Sequence, residues 1–184
     1  MSRAILITGV PGVGKTTLVL NIVEAVRLRG YSVGGMITQE IRIKHGRVGF
    51  EVLDLFTGAR GLLAHVEVKE GPRVGKYGVN VKDLDQVGVT AICNALREKE
   101  IDLLVLDEIG PMELTSSKFR AAAREAIAGI KPFLGTVQFR LRRQIHEILG
   151  LEEAPQVLEL TRENRSRLSG VVSERILKSL GAQA

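Results

Sequence analysis

Gly9-Val10-Pro11-Gly12-Val13-Gly14-Lys15-Thr16-Thr17 is the stretch on which the reading of this chain turns. Its first eight residues fit the pattern G-x-x-x-x-G-K-[ST] at every fixed position, which is the pattern of a phosphate-binding loop. Each residue type has a physical reason to be there. Glycines let the backbone turn tightly and bring bare N–H groups close to an anion. Those groups join the free N–H groups at the start of the following helix, where the dipole favours negative charge. Lys15 adds a point charge within reach of β- and γ-phosphates, and the Thr16 hydroxyl stands where a magnesium ligand is needed.

The flanks agree with the loop. Ala4-Ile5-Leu6-Ile7 is a short apolar run of buried-strand type. After the loop, Leu18, Val19, Ile22, Val23 and Val26 recur at helical spacing, and Gly30 supplies a stop. A glycine-rich turn that matched by chance would have no reason to sit between a strand and a helix. Residues 9–17 are therefore the expected nucleotide-binding set.

Outward from there, 31–40 reads as a glycine-interrupted strand. Alternating runs on either side of Lys44-His45-Gly46-Arg47 predict a β-hairpin spanning residues 36–55. Leu62 to Val66 reads as a short strand, and Glu67 to Asn80, rich in glycine and charge, as a surface loop. Helices are predicted over 84–99, with Val87, Ala91, Ala95 and Leu96 inward, and over 117–130, 141–149 and 162–180. The last of these should bury Leu168, Val171, Val172, Ile176 and Leu177. Apolar strands are predicted at 101–107, 132–137 and 156–160. Helices between apolar strands imply right-handed crossovers and a mostly parallel sheet covered on both faces, with the hairpin as an antiparallel addition. The length of 184 residues fits one domain, 1–184.

Leu103-Leu104-Val105-Leu106-Asp107-Glu108 is the second motif. In phosphate-loop enzymes an apolar strand ends in an acid that faces the magnesium shell, and Asp107 takes that position. This strand is expected beside the first one. Glu108 comes directly after, where a carboxylate can orient or deprotonate a water on the γ-phosphate side. An acid pair of this kind, with roughly ninety residues between the motifs, points to the RecA-like branch of α/β nucleotide-binding folds. Asp107-Glu108-Ile109-Gly110 also fits D-x-x-G, the switch element of GTP-binding proteins, but the guanine-reading N-K-x-D is absent.

Cleavage of a phosphoanhydride gains from a cation on the developing charge. Arg140, Arg142 and Arg143 follow one strand, and Arg162, Arg165 and Arg167 open the last helix. Both clusters could lie near the C-terminal ends of the strands, where ligands bind in open α/β folds, with a solvated helix face as the plain alternative for each. Thr136 and Gln138 end a strand and could sense the γ-phosphate.

Composition excludes several classes. No run approaches the roughly 20 apolar residues of a membrane span, and the first strand begins too early for a signal peptide. With the single Cys93, which cannot form an internal disulfide, the expected compartment is the cytoplasm. The net charge of +5 would partly offset a polyanionic nucleotide. It could also favour nucleic acid, but no block of five Lys or Arg and only seven aromatics leave that reading unsupported.

With both motifs placed, the chain resembles the small nucleoside-triphosphatase family of P-loop NTPases, which includes thermophile enzymes and a human cancer-related member. The resemblance rests on GVPGVGKTT at 9–17, GGMITQEIR at 34–42 and GRVGFEVLDLFTGARGLLA at 46–64. It continues through RVGKYGVNV at 73–81, LLVLDEIGPMEL at 103–114 and LTRENRSRL at 160–168. It implies a RecA-like α/β fold and slow, Mg²⁺-dependent hydrolysis of several nucleoside triphosphates with low base specificity. Lys15, Thr16, Asp107 and Glu108 match the family's phosphate, metal and water-activating positions. Glu40, Arg42, Arg73, Lys76, Glu113, Asn164 and Arg165 fall in matched motifs. The expected catalytic set is Lys15 and Glu108 with help from Arg140, Arg143 or Arg165, and the expected metal ligands are Thr16 and Asp107. Two other readings use the same loop: a kinase that passes the γ-phosphoryl to a nucleoside or polynucleotide, and a nucleotide-switched interaction module.

Overall fold

The structure is a computed structural model that describes residues 4–182. Strand β1 (Ala4–Thr8) is buried at all five positions, as its apolar run predicts. Helix α1 (Lys15–Arg27) buries Leu18, Val19, Ile22, Val23 and Val26, the five residues of the predicted stripe. Between them Gly14 adopts φ 104°, a left-handed conformation that a side chain would strain. The helix therefore starts where the loop glycine permits it.

β2 (Val33–Ile43), β3 (Gly46–Asp54) and β4 (Arg60–His65) form an antiparallel meander, and the expected hairpin is its first half. β2 also pairs in parallel with β7 (Leu103–Ile109), Ile37 standing opposite Asp107. Gly35 makes that pairing feasible, since a Cβ there would lie 2.0 Å from the Val105 carbonyl oxygen.

The remaining elements complete two layers. β5 (Arg73–Val74) and β6 (Tyr77–Val79) precede α2 (Val81–Asp83), a π-helical segment (Leu84–Val89) and α3 (Thr90–Arg97). After β7 come α4 (Ser117–Ala128), β8 (Phe133–Val137), α5 (Ile145–Leu149), β9 (Gln156–Glu159) and α6 (Arg165–Gly181). The sheet order is β5-β6-β4-β3-β2-β7-β8-β1-β9, with β2-β7-β8-β1-β9 all parallel. Successive β1 residues feed opposite cores. Ile5 and Ile7 pack with α1 and α6, while Leu6 packs with α3, α4 and α5. No helix among the described residues is long and apolar enough to cross a membrane.

Four expectations are corrected. The strand ending at Asp107 does not lie beside β1, because β8 runs between them. β8 is buried at every position and pairs along both edges, Phe133 with Ala4 and with Leu104. Such a strand can only be interior. Segment 67–80 is not a plain loop but carries the β5–β6 hairpin, which extends the sheet through β4. The helix expected at 84–99 starts earlier, where the Asn80 side chain accepts from the Asp83 N–H at 3.1 Å. Its π-helical segment turns the buried face to Leu84, Gly88 and Val89 and leaves Val87 half-buried. In α6, Val172, Ile176 and Leu180 are buried, whereas Val171 is 41% exposed.

Candidate functional site

Loop 9–14 is anchored by its one buried side chain, Val13, and exposes Val10, Pro11 and Gly12. The Val13 N–H donates to the Val10 carbonyl at 3.2 Å, closing a tight turn. Among the described residues no side chain caps α1, and no acid lies in its first turn. Its first N–H groups are thus left for an external anion. Lys15 folds back over the loop, its Nζ donating to the Gly9 carbonyl at 3.2 Å and standing 3.5 Å from Glu108 Oε2. The two motifs, ninety residues apart in sequence, meet through this pair.

Asp107 ends its buried run on the α1 side of the sheet and is 1% exposed. With β8 between β7 and β1, the acid stands about 10 Å across from the loop strand at two strand spacings. Thr136, on β8, fills the interval and donates its hydroxyl to Asp107 Oδ1. The other oxygen, Oδ2, is buried without a hydrogen-bond partner among the described residues. Burial raises the proton affinity of Asp107. The Thr136 and Thr16 hydroxyls and the Lys15 charge oppose that rise. Thr16 is therefore near enough to act on Asp107 without closing a hydrogen bond to Oδ2.

Glu108 is half-buried, and burial raises its pKa too, with Lys15 pulling it down and Asp107 pushing it up. The peptide joining the two acids is cis. A third carboxyl sits behind them. Glu113, in a 3₁₀ turn (Glu113–Thr115), is 5% exposed. Its Oε2 is 2.9 Å from where a Gly110 Cβ would stand, and Glu108 Oε1 is 3.6 Å from the same point. Gly110 thus leaves room for two acids on one spot.

Burial, reinforced by Glu108 and Asp107, pushes Glu113 up to about 8 from its ordinary 4.5. The folded protein then holds a proton that the unfolded chain releases, so stability falls as pH rises from about 4.5 through about 8. Glu113→Gln keeps the neutral form at every pH. Its thermal unfolding curve is expected to lose less between pH 5 and pH 8 than the wild type's, a gap of a few kcal/mol. Parallel curves would mean that Glu113 is already ionised in the fold.

The arginines divide. Arg140 and Arg143 are exposed and have no ion pair or hydrogen bond to a described residue. They follow β8, so they emerge between β1 and β7. Arg142 is committed locally, donating to the Phe139 carbonyl at 2.5 Å with its guanidinium carbon 3.7 Å from the Phe139 ring centre. Arg165 lies against Gly14 from the β9 side. Arg162 and Arg167 are exposed. Several family-motif residues pair with one another instead. Glu40 binds Arg42 at 2.6 Å and Arg47 at 2.5 Å, and Arg73 donates to the Lys76 carbonyl at 2.9 Å. Thr136 as the partner of Asp107 was not legible in the chain, because only the parallel register brings β8 against β7.

A groove of about 650 Å³ between the end of α4 and the segment before β9 is lined by Arg124, Ile127, Leu151 and Pro155. It lies at the opposite ends of the strands from the loop.

The parallel order β2-β7-β8-β1-β9, with a phosphate loop after β1 and an acid pair at the end of β7, defines a RecA-like P-loop NTPase fold. Residues 4–173 match a family profile described as NTPase, and the chain belongs to that family. It is 49% identical over 139 residues to a protein named nucleoside-triphosphatase THEP1 from Thermofilum pendens, covering 76% of this chain and 75% of that one. The crystal structure of THEP1 from the hyperthermophile Aquifex aeolicus superposes with a TM-score of 0.78 at 34% identity, covering 92% and 96% of the two chains. The solution structure of a human cancer-related nucleoside triphosphatase gives 0.77 at 32% identity, covering 97% and 99%.

Proposed function

We propose that this chain hydrolyses nucleoside 5′-triphosphates to the diphosphate and phosphate, with Mg²⁺, with little base preference and at a slow rate. Membership of the NTPase family supports the activity itself. The observation that carries the chemistry is one mouth where the free N-terminus of α1, the Lys15–Glu108 pair at 3.5 Å and a buried Asp107 oxygen without a partner converge.

The loop N–H groups and Lys15 bind the β- and γ-phosphates, and substrate charge replaces Glu108 as the main partner of the ammonium. That exchange frees the Glu108 carboxylate. Beside a γ-phosphate it orients a water and accepts its proton as the oxygen attacks the γ-phosphorus and the bond to the β–γ bridging oxygen breaks, the diphosphate leaving. Residues for Mg²⁺ are present. Asp107 Oδ2 is a buried acceptor with no hydrogen-bond partner among the described residues, and the Thr16 hydroxyl also acts on Asp107. No group of three or more His, Cys, Asp or Glu fit for a metal occurs among the described residues. One carboxylate, a hydroxyl and substrate oxygens are donors that Mg²⁺ takes in phosphate sites. When bound, Mg²⁺ would neutralise charge on the β- and γ-oxygens.

Arg140 and Arg143 are the cations we assign to the transition state, since they leave β8 on the Glu108 side of the loop. Neither is held by a partner among the described residues, so the cost of ordering them falls within each turnover, which supports the slow rate proposed. The test is phosphate release from ATP, GTP, CTP and UTP with Mg²⁺ and with excess EDTA. All four should be hydrolysed at rates within about tenfold of each other and only with the metal, one pocket contact being worth roughly that factor. Transfer to an added nucleoside or oligonucleotide, with no phosphate released to water, would replace this reading by a kinase.

A further inference from the structure

Arg165 is the first residue of α6 and reaches the loop from the side opposite Glu108. Its origin is held firmly. The Leu160 N–H donates to the Thr8 carbonyl at 2.7 Å, tying the end of β9 to the end of β1. A Cβ on Gly9 would come 2.6 Å from the Leu160 carbonyl oxygen, so the two backbones touch. Thr161 and Asn164 then cap each other. The Thr161 N–H donates to Asn164 Oδ1 at 2.8 Å, and the Asn164 N–H donates to Thr161 Oγ1 at 3.2 Å. Asn164 Nδ2 also donates to the Glu159 carbonyl at 2.8 Å. Arg165 leaves this locked turn, and its Nε and Cζ both lie 3.7 Å from where a Gly14 Cβ would stand.

Arg165 is exposed and has no carboxylate or hydrogen-bond partner among the described residues. A bare cation beside the positive end of α1 is a local conflict that a bound ligand would relieve. Geometry says which part of the ligand. The Lys15–Glu108 pair marks the terminal-phosphate end on the β7 side, whereas Arg165 stands on the β9 side. A triphosphate laid across the start of α1 with its last phosphate at Glu108 carries its nucleoside end toward Arg165.

We propose that the Arg165 guanidinium is the platform on which the nucleobase stacks, and that low base specificity originates there. The proposal rests on the nucleoside-triphosphate reading above. A guanidinium plane reads the face of a ring, and every base has a π-face. Edge reading needs a free amide or backbone group, and the amide next to Arg165 in the chain, Asn164, is already engaged by Thr161 and Glu159.

The test compares the affinities of wild type, Arg165→Ala and Arg165→Lys for non-hydrolysable analogues of ATP, GTP, CTP and UTP and for inorganic triphosphate, by calorimetry. Arg165→Ala should weaken all four nucleotides by a similar factor, roughly ten- to a hundredfold for a lost stack. Inorganic triphosphate should change less than about threefold, within the scatter of one weak contact. Arg165→Lys should not restore the loss, because an ammonium has no plane. In turnover, KM should move more than kcat. Equal losses for nucleotides and triphosphate would make Arg165 a phosphate contact and overturn the proposal. So would unchanged nucleotide affinity, or a fall in kcat at constant KM. A wild type that binds the analogues but releases no phosphate from the natural nucleotides would sink the hydrolase reading and leave this one standing. A wild type that binds none of them would sink both.

Discussion

Lys15→Ala is expected to lower affinity for ATP at least a hundredfold and kcat/KM by roughly 10³, since it removes a preorganised charge from the site proposed to hold a polyanion. Lys15 is already in position, folded onto the Gly9 carbonyl at 3.2 Å with only 12% of its side chain exposed. Little ordering cost remains to be met on binding, and substitution loses nearly the whole interaction. A second effect adds to the first. Asp107 and Glu108 both have their acidity restored in part by the Lys15 charge. Without it both carboxyls rise further, which disfavours the ionised Glu108 that the proposed water activation needs. Calorimetric titration with a non-hydrolysable ATP analogue, alongside phosphate release, measures the two effects separately. Affinity within a few-fold of wild type would show that the loop does not hold the triphosphate through this ammonium.

Glu108→Gln should behave in the opposite way. The amide nearly matches the carboxylate in shape and stays near Lys15, but it cannot take a proton from water. Turnover is expected to fall by roughly 10²–10⁴, the usual contribution of a positioned base. Binding should hold or tighten, because one negative charge leaves the neighbourhood of the γ-phosphate. Phosphate release against analogue affinity decides it. A variant that hydrolyses normally would move water activation to another group.

Much of this was legible along the chain, for reasons that are local. The loop glycines, Lys15 and the apolar stripe Leu18-Val19-Ile22-Val23-Val26 declare a strand–loop–helix because each depends only on near neighbours. The acids Asp107 and Glu108 were visible because an apolar run ends abruptly in two charges. The 67–80 segment misled because a hairpin as short as β5–β6 has too few residues to show alternation. It is ordered by its pairing onto β4, a long-range event. The helix beginning at Val81 misled through its π-helical segment, which rotates the buried face away from a strict 3.6-residue repeat.

By itself the sequence determined that a strand, a glycine-rich loop of phosphate-binding pattern and a helix open the chain, that two acids close a later buried strand, and that helices cover a mostly parallel sheet. Those properties follow from residue type and spacing. Only the tertiary structure decided that β8 separates the two motifs, that Thr136 serves Asp107, and that Arg165 meets Gly14 from the side away from Glu108. Each depends on which strand lies beside which. Strand order is set by the competition of whole buried surfaces for the interior of the sheet, and no short window of residues records its outcome.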